Sequence, residues 1–363
     1  MIHLLRTANI KLLKGVALLR LDLNTEGSWR LEAALPTVQF LLHVADRILI
    51  VSHKGRPKSF EKNLSLAPQA KMLERFLRHR VVFISHFRFG EIGKIIKSSP
   101  RGSVFLLENL RFMKGEEAND SAFARNLASL GDYYVNEAFA VSNRANASVV
   151  AITRFLRSYA GLGLEKEIEN LSLVMTSPKQ PLVVVLGGAK AGDKLGILKF
   201  FRKRAKWLLL GGGPANTLLA IKGVNIKDSI AERKHLSDFK PLLSYRNLII
   251  PVDFVFSVRK ILDVGPKTAK MFKDKIAKAR TIIWNGPLGL IEKPKFVEGT
   301  LTVVRAIVKN RHAFSLTGGG ETVTFLKKYK LDKKFSFVST GGGAMLEFLA
   351  GKKLPGIEAL KRS

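Results

Sequence analysis

The chain has 363 residues, enough for two domains, with 46% hydrophobic residues and no cysteine. No apolar run approaches the roughly 18–20 residues of a membrane span, and the lack of thiols excludes a disulfide framework and a thiolate metal site while fitting a reducing cytoplasm. The formal charge of +32, from 61 Lys+Arg against 29 Asp+Glu, favours anionic partners such as nucleic acid, a membrane surface or phosphorylated small molecules, yet without a long basic run or a nucleic-acid motif most of it reads as a solvated basic surface.

The first 21 residues carry Arg6, Lys11, Lys14 and Arg20 and no acid, as a leader would. KGVALLRLDLN already reads as the first buried strand, however, and leaves little room for one. That strand, 16–24, ends in Asp22 and Asn24. After a short turn, SWRLEAALPTVQFLLHVA spaces Leu31, Leu35, Val38, Leu41 and Leu42 on one helix face. Arg30 sits at its start, where the helix dipole mildly disfavours a cation and an anionic partner would relieve it. DRILIVSHKGRP repeats the plan, a strand followed by Ser52, His53, Gly55 and Arg56, with Pro57 barring further pairing. VVFISH, SVFLLENLRF and DYYVNEAFAVSNRANAS supply three more strands, the last two ending near Arg111 and Arg144. Strands alternating with helices at this spacing predict a parallel sheet. Its edge then gathers Asp22, Asn24, His53, Arg56, Arg111 and Arg144. Arginine forks suit carboxylate and phosphate, so this half reads as an anion-binding domain without a nucleotide loop.

GLGLEKEIENLSLVMTSPKQP comes next, with Leu164, Ile168, Leu171 and Met175 on one face and Pro178 and Pro181 closing it. It is the expected connecting helix. Glycine clusters then follow apolar runs at Gly187-Gly188, Gly211-Gly212-Gly213, Gly286, Gly318-Gly319-Gly320 and Gly341-Gly342-Gly343. Strand, glycine turn and helix, repeated along one sheet edge, suit phosphate: the turn lets a ligand come close, and the helix N-terminus adds partial positive charge. The chain closes with LEFLAGKKLPGIEALKRS, read as a helix and a short tail.

An anion site on one domain and a phosphate site on another imply phosphoryl transfer, which needs positioning and charge neutralisation more than a covalent nucleophile. Lys190 and Lys194 in GGAKAGDK are cations beside the backbone cradle. Glu321 either holds Mg²⁺ or stabilises a helix N-terminus. His53 is either a general base or a phosphate-binding imidazole. GxxxxGK[ST] is absent, so this is no P-loop enzyme.

The segments LLRLDLN, SHKGRP, LLENLRF, YVNEAFA, LGGAKAGDK, GGGPANT, PVDF, DVGPKT, WNGPLG, GGGET, STGGGA and LPGIEAL occur in this order, and together the chain resembles the phosphoglycerate kinase family over nearly its whole length. The resemblance implies an α/β fold of two Rossmann-like three-layer α/β/α domains whose parallel sheets face each other across a hinged cleft. The phosphoglycerate domain would be 1–160, with 347–363 packing back on it, the interdomain helix 161–180 and the nucleotide domain 181–346. It further implies a cytoplasmic monomer transferring phosphate between 1,3-bisphosphoglycerate and Mg·ADP to give 3-phosphoglycerate and Mg·ATP, on domain closure. Asp22, Asn24, Arg30, His53, Arg56, Arg111 and Arg144 would bind phosphoglycerate. Gly187, Gly188, Lys194, Gly211, Gly212, Asn285, Pro287, Glu292, Gly320, Glu321 and Thr322 would bind nucleotide, with Glu321 toward the metal. Arg30, Lys190, Lys194 and the amides around Gly342 and Gly343 would clamp the transferring group.

Several positions depart from the family pattern. NRANAS stands where HRAHSS is usual, so Asn143 and Asn146 cannot become cationic, and Ala147 lacks a hydroxyl. Glu321 replaces an aspartate, Pro214 an apolar residue, and the loop after Asn24 is short. No central cation is lost, which implies an active enzyme with shifted affinity. The other reading is a weakly active or inactive paralogue that binds polyanions such as RNA, motivated by the +32 charge.

Overall fold

Short apolar runs such as VALLR, RILIV, VFLL and LVVVL form the central strands, buried on both faces, the pattern of a parallel sheet covered by helices. The structure, a computed structural model, describes residues 2–25, 27–234 and 236–362. The chain divides into two units, Met1–Ile168 with Lys353–Ser363, and Glu169–Lys352. The division falls inside the helix Leu162–Thr176. Leu164, Leu171 and Val174 are that helix's buried apolar positions, while Ile168 and Met175, expected on the same face, are half-buried.

The first unit holds a wholly parallel sheet of β1 (Val16–Arg20), β2 (Arg47–Val51), β3 (Val81–Ile84), β4 (Val104–Leu107), β5 (Tyr133–Asn136) and β6 (Ser158–Ala160). Their order is β3-β4-β2-β1-β5-β6. The chain winds to one side of β1 and then returns to the other, so the order reverses between β1 and β5. The carboxyl ends of strands flanking such a reversal form the crevice where open α/β sheets bind ligands. The apolar face of the helix Trp29–Val44 packs on this sheet through Leu31, Ala34, Val38 and Leu41.

The expected strand 16–24 stops at Arg20. Leu21 makes the last ladder bond, to Val51 O at 3.1 Å. Beyond it side chains take over the backbone: Ser52 Oγ accepts from Leu23 N (3.0 Å) and Asp22 Oδ1 from Asn24 N (3.0 Å). Asp22 and Asn24 therefore lie on the loop past the strand end.

The second unit repeats the architecture. Its sheet holds β7 (Leu182–Leu186), β8 (Trp207–Leu210), β9 (Leu248–Ile249), β12 (Thr281–Asn285), β13 (Phe314–Gly318) and β14 (Phe337–Ser339). The order β14-β13-β12-β7-β8-β9 is again parallel throughout and reverses between β7 and β12. A hairpin that the sequence pattern did not reveal, β10 (Phe254–Ser257) and β11 (Lys260–Val264), stands apart as an antiparallel pair. Trp284 anchors the core: its ring stacks on Phe335 at 5.9 Å, and Nε1 donates to Gly286 O at 2.9 Å.

The C-terminal segment is two short helices, Gly343–Leu349 and Pro355–Leu360, rather than one helix and a tail. Gly351, at φ +81°, turns the chain after the first, and Pro355 opens the second. The second helix belongs to the first unit, where Gly356 N donates to Ser142 O at 2.8 Å.

Candidate active site

At the carboxyl edge of the first sheet, Asp22, Arg30, Arg111 and Arg144 surround one buried imidazole, while Arg56 is not among its neighbours. Asp22 Oδ2 accepts from Arg30 Nη1 at 2.8 Å, and the same nitrogen donates to Asn24 O at 3.1 Å. Asn24 Oδ1 accepts from Gly55 N at 2.8 Å, and Arg111 Nη1 donates to the Gly55 carbonyl. The loops after β1, β2 and β4 are thereby tied together. Arg30 Nε is buried with no protein acceptor. A buried donor left unpaired is costly unless a ligand oxygen meets it.

His53 is 1% exposed. Burial pushes its pKa well below the ordinary 6.5, and the positive charges of Arg20, Arg111, Arg144 and Arg30 push it the same way. The imidazole is neutral. Arg20 Nη2 lies 3.2 Å from His53 Nδ1, and a guanidinium can only donate, so Nδ1 accepts and Nε2 carries the hydrogen. A ring held neutral in this tautomer is a hydrogen-bond donor at Nε2. Arg111, also buried, has its pKa lowered to about 10 by burial and by Arg144, and remains cationic at neutral pH. Arg144 is half-buried and Arg56 exposed.

Sequence reading missed Arg20, which underlies this group. It is 1% exposed at the end of β1, with Nε donating to Ser148 Oγ (2.9 Å) and Nη1 to the Leu21 carbonyl. Glu116 Oε1 sits 3.9 Å from Nη2 and accepts from Ser148 Oγ (2.6 Å), while Oε2 accepts from Ser148 N (2.9 Å). The Asn146 amide donates to Glu116 O at 3.3 Å. The asparagine-substituted NRANAS segment is thus secured on Glu116 and Arg20 through Asn146 and Ser148. A cation inside the apolar run VALLRL was the available signal.

In the second unit, a half-open pocket enclosing about 630 Å³ of empty space lies at the β7/β12 reversal. Of the expected residues, Gly188, Gly212, Pro287, Glu292 and Glu321 line it. Gly187, Gly211, Asn285 and Thr322 do not, and brace its wall instead. Gly187 N donates to Asn285 O (2.9 Å), Asn285 Nδ2 to Gly318 O (2.6 Å) and Gly286 N to Thr322 Oγ1 (3.0 Å). Several glycine amides expected to face a ligand are accordingly spent between loops. Glycine is required here for close approach. At Gly212, with φ +53°, a Cβ would come within 2.7 Å of Gly188 O. Gly320 opens the helix Gly320–Lys328 and is exposed.

Lys194 is buried in the helix Gly192–Phe201. Burial lowers its pKa, opposed by the charges of Asp193 and Glu321 and reinforced by Lys190. Lys190 itself is exposed. Gly342, at φ +48°, leads into the helix Gly343–Leu349.

The pocket also takes residues that motif reading did not assign: Asn216, Ile230, Ile261 and Leu288 among them, and Asp263. Burial raises the Asp263 carboxyl to about 6, although Gly299 N and Val264 N donate to it at 2.8 and 2.9 Å. Asp263 opens the segment DVGPKT. The hairpin strand β11 that carries it had no local signal.

Comparison with known proteins places the whole chain beside one family. Residues 8–352 match the family described as phosphoglycerate kinase. A phosphoglycerate kinase of Dictyoglomus turgidum is 39% identical over 356 residues, covering 92% of this chain and 90% of that one. One from Desulforapulum autotrophicum is 41% identical over 357 residues, covering 91% of each. The solved structure of phosphoglycerate kinase from Coxiella burnetii superposes with a TM-score of 0.86 at 34% identity, covering 100% of this chain and 99% of that one. The crystal structure of the Pyrococcus horikoshii enzyme gives 0.88 at 31% identity, with coverages of 99% and 98%.

Proposed function

The chain belongs to the phosphoglycerate kinase family, and we propose that its units divide the substrates of that family's reaction: phosphoglycerate on the strand ends of the first, nucleotide on those of the second. The reaction is reversible phosphoryl transfer between 1,3-bisphosphoglycerate and ADP, giving 3-phosphoglycerate and ATP. Among the described residues no helix is long and apolar enough to cross a membrane. A cytoplasmic setting is our reading from the missing cysteines and the ATP co-substrate.

The observation that supports the allocation best is the orphaned donor of Arg30. Its Nη1 is already fixed by Asp22, so the fork is oriented before any ligand arrives. Arg30 Nε–H and His53 Nε2–H would donate to phosphoglycerate oxygens, while Arg56, Arg111 and Arg144 supply positive charge. Neither His53 nor Arg111 has to change protonation state to bind an anion at neutral pH. The reading of His53 as a general base loses to this one, because an imidazole surrounded by guanidinium groups is a poor proton acceptor.

In the second unit, Glu292 would bond the nucleotide's ribose and Lys194 its phosphates, while Asn285, expected beside them, holds the wall through Gly318 O. Lys190, Lys194 and the amides of Gly342 and Gly343 would stabilise negative charge on the transferring group. Mg²⁺ fits this site: Glu321 is an exposed carboxylate lining the pocket beside Gly188 and Gly212, and one carboxylate with nucleotide phosphates is the usual holder of this ion. When bound, it would neutralise charge on the nucleotide phosphates.

Calorimetric titration of 3-phosphoglycerate and of ADP into paired variants tests the allocation. Losing a charge-assisted hydrogen bond costs about 1.5–3 kcal/mol. Arg30→Ala should therefore weaken 3-phosphoglycerate roughly ten-fold or more and leave ADP unchanged. Glu292→Ala should do the reverse. The opposite pattern, or both ligands weakened alike, would remove the proposed division.

A further inference from the structure

The two ends of β8 carry unlike surfaces. Its carboxyl end leads through Gly211 into the nucleotide pocket; its amino end, roughly 13 Å away at one strand length, opens on a separate groove. That groove encloses about 1070 Å³ of empty space, much of it open to solvent. Four cations line it, Arg202, Lys203, Lys206 and Arg246, together with the rings of Trp207 and Tyr245. Among the described residues, no acidic side chain lines it.

The walls come from segments distant in sequence, the loop before β8 and the loop before β9. Asn247 joins them, its amide donating to Arg202 O at 3.0 Å and to Ala205 O at 2.7 Å. The Arg202 guanidinium lies 4.6 Å from the centroid of the Tyr245 ring, and Lys275 Nζ 5.1 Å from that of Trp207. Both rings are half-buried and fixed by cation–π contact, while all four lining cations are exposed. This is a preorganised track of positive charge interleaved with flat aromatic surface.

We infer that this groove binds single-stranded nucleic acid, its cations following the phosphates and Trp207 and Tyr245 stacking on bases. A positively charged groove with stacking rings is the arrangement that holds single strands without sequence preference. A membrane would require projecting apolar side chains, and the exposed large hydrophobic residues lie elsewhere in the chain. A small inorganic anion would make no use of the rings.

The test is fluorescence anisotropy of a labelled twelve-nucleotide oligouridylate with the full chain, at about 150 mM salt and across a salt series. Lys203→Ala with Arg246→Ala removes two cations from the groove. Lys94→Ala with Lys97→Ala removes the same charge from an exposed helix face of the first unit. The groove pair should weaken binding about ten-fold or more and flatten the plot of log affinity against log salt by about 1.4, at 0.7 per single-strand phosphate contact. The control pair should change affinity less than about two-fold. Tyr245→Leu retains the charge. It should weaken the oligonucleotide about five-fold or more, as loss of one stacking contact does, and leave binding of inorganic polyphosphate unchanged. Equal losses in the two double variants would assign binding to the overall field and overturn the site. An unaffected Tyr245→Leu, or no binding at 150 mM salt, would overturn it too. Phosphoryl transfer should persist in all of these variants, none of which touches the residues proposed for it.

Discussion

The neutral state of His53 has a measurable thermodynamic consequence. In the unfolded chain its imidazole titrates near the ordinary 6.5, whereas in the fold burial and the surrounding arginines hold its pKa well below that value. Below about pH 6.5 the unfolded chain therefore takes up a proton that the fold refuses. The stabilising contribution is complete above the unfolded pKa and is lost as pH falls through it. With the fold staying neutral, the loss between pH 8 and 5.5 is about 1.4 kcal/mol, from the linkage slope of about 1.36 kcal/mol per pH unit. His53→Asn places an amide oxygen near the position of Nδ1, where it can still accept from Arg20, and removes the titration. Urea unfolding of wild type and variant should be compared at intervals across this range. Groups common to both proteins cancel, and the stability advantage of the wild type should shrink by about 1.4 kcal/mol toward pH 5.5. A difference that stays constant would mean that His53 titrates alike in both states. A difference that grows toward acid would mean that the fold holds an imidazolium. Either outcome refutes a neutral, hydrogen-donating His53.

Glu137 should behave with the opposite sign. Its side chain is half-buried, the carboxyl accepts from Thr37 Oγ1 (3.0 Å) and Gly163 N (2.9 Å), and desolvation raises its pKa to about 8. Stability is full below the unfolded pKa near 4.5 and falls as pH rises through 8, losing about 2 kcal/mol between pH 6 and 8; Glu137→Gln should abolish that loss in urea titrations. Arg20→Met leaves Glu116 buried without its cation and should destabilise the fold by about 3–5 kcal/mol, measured by denaturant midpoint, while the His53 imidazole resonance titrates at higher pH than in wild type. Gly212→Ala forces a side chain into φ +53° and toward Gly188 O; it should cost about 1–2 kcal/mol of stability and weaken ADP binding in calorimetry without affecting 3-phosphoglycerate.

The strands and their polar ends were legible because each is a local pattern. An apolar run of four or five residues followed by Asp22 and Asn24, by His53, or by a glycine pair announces a strand and the sheet edge together. Roles set by distant partners were not legible. Arg20 looks like an interruption in an apolar run, and its meaning depends on Glu116 and Ser148, far along the chain. The glycine clusters revealed where the loops turn, but not that the amides of Gly187 and Gly286 are bonded to neighbouring loops. Asp263 lies in the segment DVGPKT but motif reading gave it no role, and the pairing β10–β11 was not read because it is short and half-buried, without the continuous apolar run of the sheet strands. The asparagines of NRANAS read as a lost charge. In the fold, Asn146 serves as an anchor on Glu116.

Turnover tests the central claim most directly. Purified protein should be assayed with 3-phosphoglycerate and Mg·ATP by a coupled readout, omitting each substrate in turn, alongside Lys190→Ala and Arg30→Ala. Phosphoryl transfer should need both substrates, be nearly abolished by Lys190→Ala with nucleotide binding retained, and fall in Arg30→Ala with loss of 3-phosphoglycerate binding. Folded protein that binds ADP but shows no transfer, or a Lys190→Ala variant as fast as wild type, would contradict that claim.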